Sequence, residues 1–356
     1  FRNRKKLFFT GCGSTGRLSI LLETAWRSFW KRLKKLHPAL VHTPLDLEHH
    51  AFSIMAGGDF ALIKAVEGFE DYPAFGRFQL TELGVEKDDV VVAITEGGET
   101  SFVIGTAWEG VAAGAHVFFV FNNPASLLKE HVARSREVLD DPRITSIDLS
   151  TGPMAVTGST RMQATTIELL FTGAALESAL TSFLEPHLPD DLLSECGCTQ
   201  RAAGDYPLLF EQLLQELGAE PAVNNLAAFT DFETAFYRKG GLVTYAADSF
   251  LLDVLTDTTE RSPTFMLPPF RSKDDTTNTP PSWSFVKDPF RNSAEAWQHM
   301  LQREPRGLAW GRKVYSRLNA PRTLQEHPPR LGKDAILQFQ IGNEDDPSRT
   351  DAAGSA

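Results

Sequence analysis

Short apolar runs alternate with longer segments of helical periodicity through the first half of the chain. Strand candidates are residues 7–9, 51–55, 90–94, 117–121 and 144–149, and helix candidates are residues 60–67, 100–113, 125–134 and 159–180. The strand candidates are apolar at successive positions rather than at alternate ones, which is typical of parallel strands that helices cover on both faces. The alternation predicts an α/β fold, a doubly wound three-layer αβα domain with a parallel sheet, over residues 1–190.

The second half of the chain is less regular. The 356 residues exceed the roughly 250–300 that a single hydrophobic core serves, so two cores are expected. Residues 191–226 are predicted to be a helical linker, with a helix over 202–224. Residues 227–356 are predicted to form a second α/β unit, with strands over 242–245, 264–267 and 336–341. The chain starts without Met and almost on a strand, so we expect part of the natural N-terminus to be missing.

Composition limits the kinds of partner that the chain can have. It has 35 Lys and Arg against 46 Asp and Glu, and the net charge of −11 argues against nucleic-acid binding, which needs a basic surface. The uninterrupted apolar runs are far shorter than the roughly 18 residues that span a bilayer, so no membrane partner is predicted. Three cysteines cannot build a disulfide framework, and no His or Cys spacing suits a metal site. These features predict a cytoplasmic protein without a metal or a cofactor.

A glycine-rich turn at residues 11–16 joins the first strand candidate to the first helical segment. Its glycines allow close backbone approach, and Ser14 and Thr15 add hydroxyl groups at a helix N-terminus, which attracts phosphate. Dinucleotide-binding folds share the pattern, but they need an acidic residue about 20 positions later at the end of a second strand. Residues 31–36 are instead basic and have no strand pattern. We therefore favour a phosphate site over an NAD site; the alternative is a turn that only packs a helix on a sheet.

Two more turns of this kind follow later strand candidates. The 95–101 turn stands between a buried strand and a helix, and the 152–162 turn leads into a long apolar helix. Open parallel sheets bind ligands at the carboxyl ends of their strands, where such turns lie. Ser159 and Thr160 would also be good helix caps, which is the simpler alternative for that turn.

Taken in order, these motifs resemble the SIS-domain (sugar isomerase) family. Besides the three turns, Ala-Gly-Gly-Asp at 56–59 and Glu-Gly-Phe-Glu-Asp at 67–71 match, and Gly-Ser-Thr-Arg-Met at 158–162 is the most specific piece. The most similar group contains N-acetylmuramic acid 6-phosphate etherase and the glucokinase regulatory protein, over residues 6–180. The resemblance implies that residues 1–190 are a SIS domain with a sugar-phosphate site. It implies that residues 227–356 are a second, degenerate SIS-like unit, in which residues 246–249 replace the phosphate loop.

The resemblance also implies which residues form the site. The substrate- and phosphate-binding residues would be Gly13, Ser14, Thr15, Thr95, Gly97, Gly98, Glu99, Thr100, Ser101, Ser159 and Thr160. Glu70 matches a carboxylate that serves the etherase as an acid/base, which makes Glu70 the candidate catalytic residue. The alternative for Glu70 is a solvated glutamate that a helix start favours. The resemblance implies neither a metal nor a cofactor.

One departure from the etherase pattern concerns its other acid/base glutamate. The matching position in the first helix is Ala25, and Glu23 lies roughly 200° around the helix from it, so Glu23 cannot replace it. Ether elimination needs one group to take a proton and another to protonate the leaving oxygen. Losing one of these two groups typically lowers the reaction rate by about 10²–10⁴-fold. This departure argues against true etherase activity.

A second departure lies in the 95–101 turn. The family usually has Ser-x-Ser-Gly-x-Thr, whereas residues 95–100 read Thr-Glu-Gly-Gly-Glu-Thr. A carboxylate about 5 Å from a phosphate charge costs roughly 3 kcal/mol at an effective dielectric constant of 20. Three alternatives follow: Glu96 and Glu99 point away, or one of them binds a sugar hydroxyl or ammonium group, or one occupies the anion site itself.

The sequence therefore predicts a SIS protein that binds a phosphorylated hexose or amino sugar, as a regulator or sensor or as a sugar-phosphate-processing protein. The alternatives are a lyase of the etherase type and an aldose–ketose sugar-phosphate isomerase. In either enzyme Glu70, with Glu96 or Glu99, would transfer protons. A regulator would act on a protein partner. SIS units pair, and the resemblance implies pairing either in a homodimer or within the chain.

Overall fold

The computed structural model of the chain describes residues 1–66, 68–199, 201–275 and 280–345. These residues fall into two units. The N-terminal unit comprises Phe1–Phe171 together with Gln298–Leu337, and the second unit comprises Thr172–Trp297 with the described residues from Gln338 onward. Residues 298–337 therefore pack with the N-terminal unit, whereas the sequence assigned them to 227–356.

Five parallel strands form the sheet of the N-terminal unit. They are β1 (Leu7–Gly11), β2 (Ala51–Met55), β3 (Val90–Thr95), β4 (His116–Phe121) and β5 (Ile144–Asp148). Their order across the sheet is β2-β1-β3-β4-β5. All five residues of β1 are buried, as expected of a strand covered on both faces. The predicted doubly wound α/β fold with a parallel sheet is thus confirmed.

The helices connect the strands and then build the second unit. They are α1 (Ser14–Leu36), α2 (Pro73–Glu82), α3 (Ser101–Ala113), α4 (Ala125–His131), α5 (Ala133–Asp140), α6 (Ala164–Leu184), α7 (Asp190–Glu195), α8 (Asp205–Leu217), α9 (Glu220–Arg238), α10 (Leu251–Phe265), α11 (Ser293–Leu301), α12 (Arg312–Arg317), α13 (Arg322–Glu326) and α14 (Lys333–Ile336). The chain leaves β1 toward β2 and returns to the other side of β1 at β3. The direction of winding therefore reverses between β1 and β3, which is where sheets of this order bind ligands.

Several predicted elements differ from the observed ones. The helix predicted over 60–67 is a short 3-10 helix, Asp59–Leu62, and the helix predicted from 159 begins at Ala164. Residues 202–224 form two helices, because α8 ends before Gly218 and Pro221 stands in the first turn of α9. The strands predicted over 264–267 and 336–341 are wrong: α10 runs to residue 265 and α14 to residue 336. Short apolar runs do not distinguish a strand from a helix by periodicity.

Aromatic packing holds residues 298–337 against the N-terminal unit. Trp310 and Tyr315 are buried, and their rings lie 5.7 Å and 5.9 Å from the ring of Phe75 at the start of α2. Phe69 stacks on Trp310 at 6.0 Å. Trp310 and Tyr315 are therefore core residues of the N-terminal unit.

Helix α6 is long and apolar enough to cross a membrane, judged by length and composition among the described residues. Apolar core helices of globular domains meet the same criterion, so this is a weak indication. The sequence reading counted only uninterrupted apolar runs, and α6 interrupts its apolar residues with Thr, Ser and Glu. The expectation that no segment spans a membrane stays a prediction.

The second unit has a small parallel sheet of its own, β6 (Val243–Ala246) and β7 (Ser284–Lys287). The turn after β6 carries Asp248, whose carboxylate accepts a hydrogen bond from the Arg291 guanidinium at 2.7 Å. The expectation that the unit has no phosphate loop there stays a prediction. Its assignment as a degenerate SIS-like unit stays a prediction.

Candidate functional site

The 11–16 and 95–101 turns lie at the same edge of the sheet. They follow β1 and β3, which pair along Leu7–Thr10 and Val90–Ala93 and so end side by side. Helix α1 begins in the first turn and α3 begins at Ser101, the last residue of the second, so two helix N-termini face this edge. The positive ends of both helix dipoles favour an anion here.

The 11–16 turn is closed by its own threonine. The Thr15 hydroxyl lies 3.0 Å from both the backbone nitrogen and the carbonyl oxygen of Cys12, and Thr15 is buried. Gly13 has φ 58°, a left-handed conformation that glycine adopts without strain. The side chain of Thr15 therefore shapes the turn, while Gly13 and Ser14 are partly exposed at its surface.

The 95–101 turn is closed in a similar way. The backbone N–H of Gly98 donates to the carbonyl oxygen of Thr95 at 3.1 Å, and the hydroxyls of Thr95 and Thr100 lie 3.0 Å apart. Gly98 has φ 71°, and a Cβ there would lie 2.5 Å from Leu128 Cδ1. The backbone conformation favours glycine at this position, and a Cβ would also press on the Leu128 side chain. Ser101 is the first residue of α3.

Three consecutive carbonyl groups of the 95–101 turn are held on one side by neighbouring side chains. The bonds are from Asn123 Nδ2 to the oxygen of Gly97 at 3.1 Å, from Ser135 Oγ to that of Gly98 at 2.8 Å, and from Arg134 Nε to that of Glu99 at 2.6 Å. In a trans peptide the C=O and the following N–H point in opposite directions. The N–H groups of Glu99 and Thr100 therefore point away from α5, on the side where α3 begins. Such a row of amides is suited to hold an anion.

The two carboxylates of the 95–101 turn point in different directions. Glu99 is exposed and lies 3.3 Å from Arg134 on α5, on the side of the bonded carbonyls. Glu96 is partly buried, and its Oε1 accepts a hydrogen bond from the Thr165 hydroxyl on α6 at 2.9 Å. Glu99 therefore points toward Arg134 and away from the amides, and its role in binding stays a prediction. Glu96 stays at the site.

Glu70 lies beside the 11–16 turn. It is in the 3-10 helix Phe69–Asp71, which follows Gly68 with φ 75°, and its Oε2 lies 3.8 Å from the Cys12 thiol. Burial, with the negative charges of Glu70 and Glu96, raises the pKa of that thiol to about 12. The structure thus brings Glu70, Cys12 and Glu96 together. The sequence reading considered Cys12 only for disulfides and missed its position in the site.

Ser159 and Thr160 lie in the 152–162 turn just before α6. Ser159 is buried and its backbone N–H donates to Val156 at 3.0 Å, while Thr160 is exposed at the start of a 3-10 helix. Across the residues that the structure describes, no hydrogen bond joins either side chain to the other two turns. The start of α6 is instead joined to the 95–101 turn by the hydrogen bond from the Thr165 hydroxyl to Glu96. The role of Ser159 and Thr160 in binding stays a prediction.

A second carboxyl group lies behind Glu96. Glu168 is one helical turn after Thr165 on α6, is fully buried, and neither of its oxygens has a hydrogen-bond partner. Burial, together with the charge of Glu96, raises the pKa of Glu168 to about 9. Glu168 therefore carries its proton at neutral pH. In the described part of the chain, no three His, Cys, Asp or Glu side chains are grouped to hold a metal ion.

Glu23 is buried in a separate cluster with arginines. It accepts hydrogen bonds from Arg27 at 2.8 Å, from Arg303 at 3.0 Å, from the Ser53 hydroxyl at 2.6 Å, and from Arg306. Burial alone would raise its pKa, but the charges of Arg303, Arg306 and Arg27 outweigh burial and hold it at about 2. Glu23 is therefore a structural anion. It cannot exchange protons near neutral pH, and the matching etherase position, Ala25, is exposed and carries no acid.

The comparisons with known proteins concern the N-terminal unit. Residues 1–108 match the family model of the glucokinase regulatory protein N-terminal SIS domain. N-acetylmuramic acid 6-phosphate etherase from Deinococcus radiodurans is 34% identical over 175 residues, which are 49% of each chain. The enzymes of that name from Clostridium acetobutylicum and Aliivibrio fischeri are 34% and 33% identical over 169 and 183 residues. The match to the Clostridium enzyme covers 48% of this chain and 48% of that enzyme, and the match to the Aliivibrio enzyme covers 50% of this chain and 53% of that enzyme. The chain thus spans about half the length of the curated relatives it matches.

Two solved structures are also similar to the chain. A phosphoheptose isomerase from Francisella tularensis is 17% identical with a TM-score of 0.30, over 48% of this chain and 74% of that one. A putative phosphosugar isomerase from Clostridium difficile 630 is 12% identical with a TM-score of 0.39, over 80% of this chain and 60% of that one. At these scores neither structure bears on the function.

Proposed function

We propose that the N-terminal part of the chain, of which residues 1–108 match a SIS-domain family model, binds a phosphorylated hexose or amino sugar at the carboxyl edge of its sheet. The phosphate would lie on the 95–101 turn and at the N-terminus of α3. The sugar would extend toward the 11–16 turn and Glu70.

The observation that carries this proposal is the orientation of the amides in the 95–101 turn. Asn123, Arg134 and Ser135 bind the carbonyl oxygens, so the N–H groups of Glu99 and Thr100 are directed to the opposite side before any ligand arrives. A preorganised row of donors loses little conformational entropy on binding. Backbone amides also bind phosphate without a basic side chain, which is compatible with an acidic protein.

A lyase of the etherase type is the second candidate, because the curated relatives carry that name and Glu70 lies at the site. The surroundings of α1 argue against it. Ala25 supplies no acid, and three arginines hold Glu23 ionised. We therefore favour binding without ether cleavage. In such a protein the bound sugar would regulate a protein partner, and pairing of SIS units would occur between chains or within one.

The test is a calorimetric titration of the chain with glucose 6-phosphate, glucose and inorganic phosphate. We expect glucose 6-phosphate to bind and glucose to bind at least about tenfold more weakly, because the phosphate contacts are charge-assisted. A parallel incubation with N-acetylmuramic acid 6-phosphate should release no lactate. Binding with lactate release would support the lyase, and no binding of any sugar phosphate would contradict the proposal.

A charge variant localises the phosphate. Ser101→Asp adds a carboxylate in the first turn of α3, where the helix dipole favours its folding but where it repels phosphate. We expect at least about tenfold weaker binding of glucose 6-phosphate and an unchanged melting temperature. Ser126→Asp, which makes the same change in the exposed first turn of α4, is the control and should bind normally. Equal binding by both variants would place the phosphate elsewhere.

A further inference from the structure

Helices α8 and α9 of the second unit present apolar side chains to solvent. Neither helix, both of which the structure describes in full, contains a buried residue. Large exposed apolar side chains include Leu209, Leu213 and Leu217 on α8, and Leu226, Phe229 and Phe232 on α9. Single exposed apolar residues are common on protein surfaces, whereas a group of them on adjoining elements marks a surface that binds something.

These six side chains, here called the α8/α9 face, have the spacing of amphipathic helices. They recur at steps of four on α8 and of three on α9, so in each helix they share one side. A helix with this pattern normally packs its apolar side on a hydrophobic core. Phe229 is instead 74% exposed and Leu226 is 59% exposed. Within the second unit, as far as the structure describes it, no element covers the α8/α9 face.

The charges of α8 and α9 indicate what kind of partner would cover this face. Residues 205–238 contain six carboxylates and one arginine, which gives a net charge of −5. Glu211 and Glu216 are exposed, and they accept hydrogen bonds from the neutral amides of Gln215 and Gln212 on the same helix. A second copy of this chain would bring the same negative charge to the face, and an anionic lipid surface would also be repelled. A partner with basic residues beside its apolar side chains would be attracted.

We propose that the α8/α9 face binds a basic amphipathic helix of a protein partner. The apolar side of that helix would lie against the exposed leucines and phenylalanines, while its Lys and Arg residues would pair with Glu211, Glu216 and the other carboxylates of α8 and α9. Amphipathic helices bind apolar surfaces in this way, and aromatic residues such as Phe229 are enriched in the cores of interfaces. The proposal does not involve the 95–101 turn, so it does not depend on the proposed function.

The experiment uses synthetic peptides as probes of the full chain. The first peptide consists of leucine and lysine, with its leucines on one side of a helix. The second has the same composition with the leucines spread around the helix, and the third has glutamate in place of lysine. Fluorescence anisotropy is measured at about 0.15 M salt, where charges more than about 8 Å apart are largely screened. We expect the first peptide to bind at least about tenfold more tightly than either of the others. Equal binding of the second or the third peptide would overturn the proposal.

A pair of matched variants locates the binding surface. Phe229→Ser removes an aromatic side chain from the α8/α9 face, and we expect it to bind the first peptide at least about tenfold more weakly. Phe290→Ser is the control, because Phe290 is 73% exposed in the same unit but lies outside α8 and α9. It should bind normally. Both side chains are exposed, so both variants should keep the melting temperature of the wild-type chain. Equal binding by the two variants would overturn the proposal.

Two further measurements on the same proteins test the other occupants of the α8/α9 face. We expect light scattering to give the same mass for the wild-type chain and for Phe229→Ser. A wild-type dimer that Phe229→Ser converts to a monomer would assign the face to a second copy. Sedimentation with phosphatidylcholine vesicles that Phe229→Ser abolishes would assign it to a lipid surface. Either of these results would overturn the proposal.

Discussion

Replacing Glu23 with glutamine is expected to lower the free energy of unfolding by about 3–5 kcal/mol. The Glu23 carboxylate is fully buried and compensates Arg27, Arg303 and Arg306 at once, and Arg303 also pairs with Asp59. A neutral amide leaves these guanidinium charges with one anion fewer in a site from which water is excluded. Urea unfolding measures the loss, with the fluorescence of Trp26 and Trp30 on the same helix as the signal.

The control for this variant is an exposed ion pair in the same unit. Glu304 pairs with Lys333, both side chains are about half exposed, and Glu304→Gln should lower the free energy of unfolding by about 0–1 kcal/mol.

The pH dependence of stability provides a second check on Glu23. The pKa of Glu23 is about 2 in the folded state against an ordinary 4.5, so its contribution is complete above pH 4.5 and is lost as the pH falls toward 2. A cost below about 1 kcal/mol at pH 7 would mean that the arginines do not depend on Glu23.

Replacing Glu168 with glutamine is expected to stabilise the chain by about 3 kcal/mol at pH 7. The folded state holds a proton on Glu168 up to a pKa of about 9, whereas the unfolded carboxyl releases it near 4.5. The unfolded state therefore binds fewer protons between these values, and the stability of the wild-type chain falls as the pH rises from 4.5 to 9. Glutamine does not ionise and is close in shape to the protonated acid, so the stability of the variant should not fall with pH in this way.

The measurement for Glu168 is urea unfolding of both proteins at pH 4.5, 7 and 8.5. The difference should be near zero at pH 4.5 and grow with pH. Glu177→Gln, on the same helix at a partly exposed position that pairs with Arg201, is the control and should change stability by less than about 1 kcal/mol. If the Glu168 variant is destabilised to the same extent at every pH, its carboxyl is ionised and has a partner in the folded state.

The fold could be predicted because its determinants are local. Strands that are apolar on both faces, such as β1 and β3, need helices on both sides, and a parallel order then places every strand-to-helix turn at one edge. The glycines and hydroxyls of the 11–16 and 95–101 turns could be recognised for the same reason. The roles of individual residues in these turns could not be predicted. The Thr15 hydroxyl bonds within its own turn, and Gly98 packs closely against Leu128, which is distant in sequence.

The buried charges could not be predicted because their partners are far apart in sequence. Glu23 meets Arg303 and Arg306 from a segment that the sequence assigned to the second unit. Glu96 meets Thr165 and lies near Glu168 only through the packing of α6. One signal was present: Glu168 is a lone carboxyl within the apolar run Ile-Glu-Leu-Leu-Phe at 167–171, where burial requires a special reason.

In the proposed function, the amides of the 95–101 turn hold the phosphate of a sugar phosphate. The direct measurement is an amide-resolved NMR titration of the ¹⁵N-labelled chain with glucose 6-phosphate, and with glucose as the reference. We expect the N–H signals of Glu99, Thr100 and Phe102 to move downfield with glucose 6-phosphate and to stay in place with glucose, since hydrogen bonds to phosphate deshield amide protons. Unchanged signals at these three residues, with saturable shifts elsewhere in the chain, would contradict it.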